Sequence, residues 1–425
     1  MTGSVTFINA HVFDGIRFLD GLIDVVVTDG VFSAVGPGVG VDRPAGEVID
    51  LAGRTLLPGL IDLHVHLAIE GAGSLAPIND PYSLSYYQSV QYAERTVACG
   101  ITSVRDAGGA DLGMKTAIER GIIAGPRMRV AINLMSQTGG HGDGHRHSGI
   151  DIPLLPVTPG RPSGIADGPD ECRKVARRLF RAGADHIKIC TSGGVLSPSD
   201  DPRHPQFTVD EIRAIVDEAE AHGTHVMAHA QGTGGIRNAL LGGVRTIEHG
   251  IYLDAETIDL MLEKDAWLVP TLVAPQMVLS SADKPNSGLP PAVVAKARMV
   301  ADVHREAVRR AYEAGVNIGM GTDTGVGPHG SNLEELWLMH QIGMSLEEVL
   351  RAATGDAAQF VGGIGGVVAV GGVADLVVLT STLSSAAQLH DLSSLIGDVY
   401  VDGRPVVRAS STVAEGRLGT EVDES

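Results

Sequence analysis

The sequence predicts an α/β protein: a (β/α)8 barrel of the TIM type with a small β-sandwich domain that both chain ends build together. Three observations carry this expectation. The middle of the chain alternates apolar strand-like runs with segments of helical period, and both ends are rich in short β-branched runs broken by Gly-containing turns. The length, 425 residues, also exceeds the ~250 that such a barrel alone commonly takes. The expected boundaries are 1–57 and 366–425 for the two parts of the small domain and 58–365 for the barrel.

The first part reads VTFINAHVF, LIDVVVTDGVFSAVG and GEVIDLAG, which predicts a small antiparallel sheet. The same texture returns in ADLVVLT and GDVYVDGRPVV, after GGIGGVVAVGG, a stretch that must turn repeatedly. Between them ITSVRDAG precedes LGMKTAIERGIIAG, DHIKICTSG precedes TVDEIRAIVDEAEAHG, HVMAHAQG precedes GIRNALLGG, and RTIEHG precedes DAETIDLMLEKD. Such alternation implies parallel strands with helical crossovers. The stretches Gly71 to Tyr82, Gly139 to Pro169 and Ser280 to Pro291 are expected to be loops that shape a binding pocket.

Composition excludes several function classes. Hydrophobic residues make up 44% and aromatic residues only 4%, so a globular core must be built from Val, Ile, Leu and Ala. The net charge of -19 repels nucleic acid and anionic membranes. Cys99, Cys172 and Cys190 are too few and scattered for a disulfide framework, which points to a reducing cytoplasm. No signal peptide and no apolar run of ~20 residues is expected.

The chemistry lies where strand runs end, because a β/α barrel builds its active site at the C-terminal ends of its strands. In LLPGLIDLHVHL, His64 and His66 stand two residues apart and so project to one side of a strand, where both imidazoles can reach one metal. Lys188 in DHIKICTSGG sits in an apolar strand, where a bare ammonium suffers a large desolvation cost. It either snorkels to the rim, pairs with a carboxylate, or becomes carboxylated by CO2 into an anionic metal ligand. His229 in HVMAHAQG and His249 in RTIEHG end successive strand runs. Asp323 in NIGMGTDTG follows another, and by itself would serve equally as an Asx turn or helix cap. His145 and His147 in HGDGHRH read as solvated loop residues rather than a second metal cluster.

Together the order HxH, Lys, His, His, Asp resembles the amidohydrolase superfamily, in its binuclear form with a carboxylated lysine. The motifs GGHGD (Gly139 to Asp143), IKICTSGGV and IEHGIYL look like its prolidase-like group, which includes Xaa-Pro and Xaa-Arg/Lys dipeptidases and amidases of N-acyl amino acids such as ochratoxin A. The resemblance implies that His64, His66 and Asp323 hold the more buried of two divalent ions and His229 and His249 the more exposed one. Carboxylated Lys188 would bridge them, with zinc the default metal. It also implies that His141 and Tyr252 hydrogen-bond a substrate carboxylate, with His329 near the pocket mouth, and that the chain forms a homo-oligomer, an octamer being one form. One local departure from the pattern, in EAEAHGTHV, falls at a helix end away from the ligands.

The reaction so implied is hydrolysis of the amide of a dipeptide or N-acyl amino acid. A hydroxide shared by the two ions would attack, and Asp323 would pass the proton to the leaving nitrogen. The partner is then a small-molecule amide. A second reading keeps the metals but takes cyclic amides, phenylureas or carbamate-like xenobiotics, and a non-enzymatic reading is a catalytically silent metal-binding scaffold.

Overall fold

The computed structural model describes residues 3–40, 46–71, 79–145, 148–197, 200–283, 289 and 291–408. The first part supplies β1 (Ser4–Val12), β2 (Ile23–Thr28), β3 (Val31–Gly36), β4 (Glu47–Asp50) and β5 (Thr55–Pro58). The central strands are β6 (Leu60–Val65), β7 (Ile101–Asp106), β8 (Arg127–Val130), β9 (Leu134–Met135), β10 (Ile187–Cys190), β11 (Val226–Ala230), β12 (Thr246–His249) and β13 (Trp267–Val269). The last part adds β14 (Leu376–Leu379), β15 (Ile396–Val401) and β16 (Arg404–Val407).

Both ends of the chain share one sheet, in the order β16-β15-β14-β5-β1-β2-β3, joined where β5 pairs antiparallel with β14. The sheet is mixed rather than antiparallel as expected, since β1 runs parallel to both β4 and β5. An alternating apolar pattern is the same for either direction, which is why the sequence did not reveal it. Phe7, Val25, Phe32, Leu56, Leu376 and Tyr400 form a separate core for these strands. Full burial of a side chain of this kind contributes about 1.5–3 kcal/mol. The Gly-rich stretch does turn repeatedly: Gly362, Gly363, Gly365, Gly366 and Gly371 all have positive φ.

The central strands pair in parallel as β6-β7-β8 and β9-β10-β11-β12-β13. Between β8 and β9 the path bends at Ile132, whose φ is 67°. Residues 318–324 carry the ring from β13 back to β6 through parallel bridges Leu268 to Ile318 and Val65 to Thr324, giving a TIM-barrel-like α/β core. Every residue of β6, β7, β10, β11 and β12 is buried, as expected for parallel strands covered on both faces. Polar residues within them therefore need partners, which the Thr102 hydroxyl of β7 lacks among the described residues.

The crossovers are α1 (Leu84–Ala98), α2 (Leu112–Glu119), α3 (Pro169–Arg181), α4 (Val209–Ala221), α5 (Thr233–Gly242), α6 (Ala255–Glu263), α7 (Val273–Ala282) and α8 (Pro291–Glu313), followed by α9 (Glu334–Gln341) and α10 (Leu346–Ala352). Their starts are written locally: capping boxes at Thr208 with Glu211, Asp254 with Thr257 and Ser345 with Glu348 satisfy the first free N–H groups. Helix α3 begins with Pro169, Asp170 and Glu171 and ends with Arg178 and Arg181, matching its dipole. His222, in the departing segment EAEAHGTHV, caps α4 and stacks on Phe180. Among the described residues no helix is long and apolar enough to cross a membrane.

Candidate metal centre

The barrel brings all six expected ligands to the C-terminal end of its strands. His64 lies in β6 with His66 just beyond it, Lys188 lies in β10, His229 in β11, His249 closes β12, and Asp323 lies in the bridging segment before α9. One ligand atom each from His64, His249 and Asp323 falls within 4.8 Å of the others. Asp323 Oδ1 is 3.5 Å from His64 Nε2 and 3.3 Å from His66 Nε2, and Lys188 Nζ is 3.2 Å from His64 Nε2. His229 is adjacent, its ring 4.7 Å from that of His249, but its Nε2 donates to the Gly193 carbonyl at 3.1 Å. Three non-glycine residues here, His249 (φ 73°), Thr271 (φ 53°) and Asp323 (φ 59°), adopt left-handed backbone, a strain that clusters at functional sites.

The imidazoles are anchored by one nitrogen and aimed by the other. His64 Nδ1 donates to Glu248 at 2.7 Å, His66 Nδ1 donates to the Gly108 carbonyl at 2.7 Å, and His249 Nδ1 pairs with the Thr271 hydroxyl at 2.7 Å. Outer partners of this kind fix ring orientation and tautomer in metal sites. Glu248 is itself held by Arg105 at 2.9 Å and by the Thr246 hydroxyl at 2.6 Å, and all three are fully buried. Asp62 accepts from the His64 and Thr322 amides, the Thr322 hydroxyl and Asn332, and so ties β6 to the segment carrying Asp323. Sequence reasoning missed Glu248, Arg105, Asp62 and Thr271. The available signal was a charged or carboxylate residue inside an apolar strand, as in SVRDAG, RTIEHG and LIDLHV.

Burial sets the protonation states. It holds His64, His229 and His249 well below the usual imidazole range, with the Lys188 charge adding to the effect on His64. Burial also lowers Lys188. Asp323 is pushed up by burial, yet the His64 and His66 rings outweigh this and keep it below the usual carboxylate range. His66 is opposed by burial too, but its contact with Asp323 raises it. Neutral imidazoles, an ionised carboxylate and an amine of lowered pKa are the forms that bind divalent metal or take up CO2. The cluster of His64, His249 and Asp323 therefore fits a divalent ion.

These residues floor a cavity of about 520 Å³, whose walls include Met114, Leu134, Leu155, Val195 and Val278. His141 lines it, stacked on His229 with ring centroids 4.4 Å apart. Tyr252 does not line it. Its neighbour Ile251 does, while the half-buried Tyr252 packs against the apolar cluster that includes Val195, Ile251 and Val293. His329 is buried behind the wall: it stacks on Tyr92, which lines the cavity, and its Nε2 donates to the Ile69 carbonyl at 2.7 Å. His145 is exposed and pairs with Asp151, and His147 lies outside the described residues, as do parts of the Gly71 to Tyr82 and Ser280 to Pro291 loops.

Comparison with known proteins agrees with this geometry. The sequence model of the amidohydrolase family matches residues 55–406. Ochratoxinase of Aspergillus niger is 33% identical over 355 residues, covering 80% of this chain and 72% of that protein. A prolidase solved in complex with N-methylphosphonate-L-proline is 36% identical with a TM-score of 0.87, covering 95% of this chain and 100% of the other. A Xaa-Pro dipeptidase with methionine bound in its active site is 33% identical with a TM-score of 0.85, covering 95% and 99%.

Proposed function

This chain belongs to the amidohydrolase family, as a hydrolase acting on amide bonds, and from that premise we propose that it cleaves the amide of a dipeptide or N-acyl amino acid. The observation that carries the reading is the convergence of His64, His66, His249, Asp323 and Lys188 on one buried point at the barrel mouth. In this reading His64, His66 and Asp323 would hold one divalent ion and His229 and His249 a second, with carboxylated Lys188 as a shared ligand and zinc the default. His229 would release the Gly193 carbonyl or ligate through its other nitrogen. The small domain is read as a β-sandwich formed by residues 1–57 and 366–425 around the barrel of 58–365, and the assembly as a homo-oligomer.

Two ions, when bound, would supply a water of lowered pKa and polarisation of the scissile carbonyl. The protein does the rest. Asp323, kept ionised by the His64 and His66 rings, accepts the water's proton and returns it to the leaving nitrogen, a transfer that a poor amide leaving group requires. Glu248 and Thr271 keep His64 and His249 from rotating during the reaction. His141 offers its ring to the substrate carboxylate at the cavity wall. His329 acts from behind, through Ile69 and Tyr92. The apolar wall suits an apolar side chain beside the scissile bond, and the prolidase and Xaa-Pro dipeptidase relatives make C-terminal proline the first residue to try.

The test is hydrolysis, by protein purified with bicarbonate present, of Xaa-Pro, Xaa-Arg and Xaa-Phe dipeptides, N-acyl amino acids, ochratoxin A and a phenylurea. Cleavage confined to amides bearing a free carboxylate is the expected result. Turnover of carboxylate-free amides alone would transfer the assignment to the cyclic-amide or phenylurea reading.

A further inference from the structure

Lys296 lies in the second turn of α8, outside the cavity, yet its ammonium is fully used. It donates to the carbonyls of Gly194 at 3.0 Å, Ser197 at 2.7 Å and Asp200, and lies 3.4 Å from the Asp200 carboxylate. All three belong to the loop that follows β10. The same loop returns to the cavity through Asp200, whose Oδ2 accepts from His141 Nδ1 at 3.0 Å and from the Gly194 amide at 3.2 Å. The His141 amide donates to Gln206 at 2.9 Å, and its ring lies so close to the loop that a Cβ on Gly194 would stand 2.2 Å from His141 Cε1. Val293 and Ala297, on the same stretch of α8, pack with Val195 of the loop and with Ile251. Among the described residues nothing hydrogen-bonds His141 Nε2, the nitrogen left for a ligand in the cavity.

We propose that Lys296 and Asp200 are positioning residues for substrate binding: Lys296 pins the β10 loop to α8, and Asp200 on that loop fixes the ring of His141 with Nε2 presented to the substrate. The identity of that substrate rests on the proposed function above, but the clamp itself does not. A lysine bonded to three carbonyls of one loop would otherwise be only a surface fastening. Here the fastened loop also supplies the His141 partner, and the ring it orients forms the cavity wall over His229. The clamp is assigned to binding because Lys296 and Asp200 themselves contact none of the proposed metal ligands, the link to His229 running through the His141 ring and the Gly193 carbonyl.

The experiment compares wild type with Lys296→Met, Lys296→Arg and Asp200→Asn in the metal-loaded protein. Each is followed by steady-state kinetics on the best carboxylate-bearing amide, metal content, and the ring-proton NMR signal of the His141 Nδ1–H. Weakening of the one charge-assisted hydrogen bond from His141 Nδ1 to Asp200 predicts a KM about tenfold higher in Lys296→Met and Asp200→Asn, with kcat within about twofold and metal content unchanged. Lys296→Arg, which keeps the charge but cannot match the three-carbonyl geometry, falls between. An unchanged KM in both Lys296→Met and Asp200→Asn, or an effect on kcat alone, overturns the proposal. If wild type hydrolyses no carboxylate-bearing amide, the proposed function fails by itself, and the NMR signal decides the clamp. Its disappearance in Lys296→Met supports the clamp, and its persistence refutes it.

Discussion

Along β12 two kinds of buried polar residue stand side by side and are treated differently. Thr246 and Glu248, inside the strand, are saturated: Arg105 donates to both, Thr246 donates to Glu248, and Glu248 takes the His64 Nδ1–H. The ring of His249, one residue further at the barrel mouth, is hydrogen-bonded through Nδ1, and the residue has a left-handed backbone. The same contrast recurs on β6, where Asp62 accepts four hydrogen bonds while His64 and His66 keep Nε2 turned towards Asp323. The interior therefore uses complete networks to hold the mouth residues in incomplete ones. Complete networks are costly to break, and incomplete ones are positioned for a ligand.

This contrast can be broken most severely at the mouth. Asp323→Asn keeps shape but removes the proton acceptor, so kcat/KM should fall by about 10²–10⁴-fold while the thermal midpoint stays near wild type. A midpoint that collapses with activity would mean that Asp323 is part of the scaffold. In the interior the order reverses: Arg105→Met leaves Glu248 as an unpaired buried charge and should cost about 3–5 kcal/mol in denaturant unfolding. A loss under about 1 kcal/mol would show that the network is not closed. Glu248→Gln joins both halves, since it should lower metal affinity by about 10–100-fold by freeing the His64 ring. Competitive chelator titration reads that directly, and unchanged affinity would remove the orienting role.

A smaller effect is expected at the opposite end of the barrel, where His225 meets the Arg105 guanidinium. Burial lowers its pKa from 6.5 to about 3, with the Arg105 charge contributing, so the fold favours the neutral ring. Its contribution is complete above pH 6.5 and is lost as pH falls from there towards 3, because the unfolded chain then binds the proton first. His225→Phe should accordingly flatten the decline in stability between pH 6.5 and 4. A decline as steep as that of wild type would remove His225 from the acid response. Last comes the exposed pair of His145 and Asp151, for which His145→Ala should leave activity and stability within about 0.5 kcal/mol of wild type.

The residues legible in the sequence are those whose role follows from position on a strand. His64, His66, His229 and His249 stand at or next to strand ends, Lys188 lies inside the short β10 and Asp323 in the bridging segment, and the parallel strands bring them together. What holds them was not legible, because it depends on contacts between distant segments. Glu248 stood visible in RTIEHG, but its partner His64 lies 184 residues earlier. Lys296 reads as an ordinary charged helix residue until α8 is laid across the β10 loop 96 residues before it. Tyr252 and His329 were placed by motif, whereas the direction of their side chains is decided by packing against Val195 and Tyr92. The parallel pairing of β1 with β4 and β5 escaped for a related reason, since strand direction leaves no mark in a pattern of period two.

The central claim is that the mouth residues form one two-metal hydrolytic site that depends on Lys188. The most direct measurement is metal content together with amide hydrolysis for wild type and Lys188→Ala, both purified with bicarbonate. Wild type should hold about two ions per chain, and the variant fewer, with activity lost. A Lys188→Ala protein that kept both metals and full activity would contradict it.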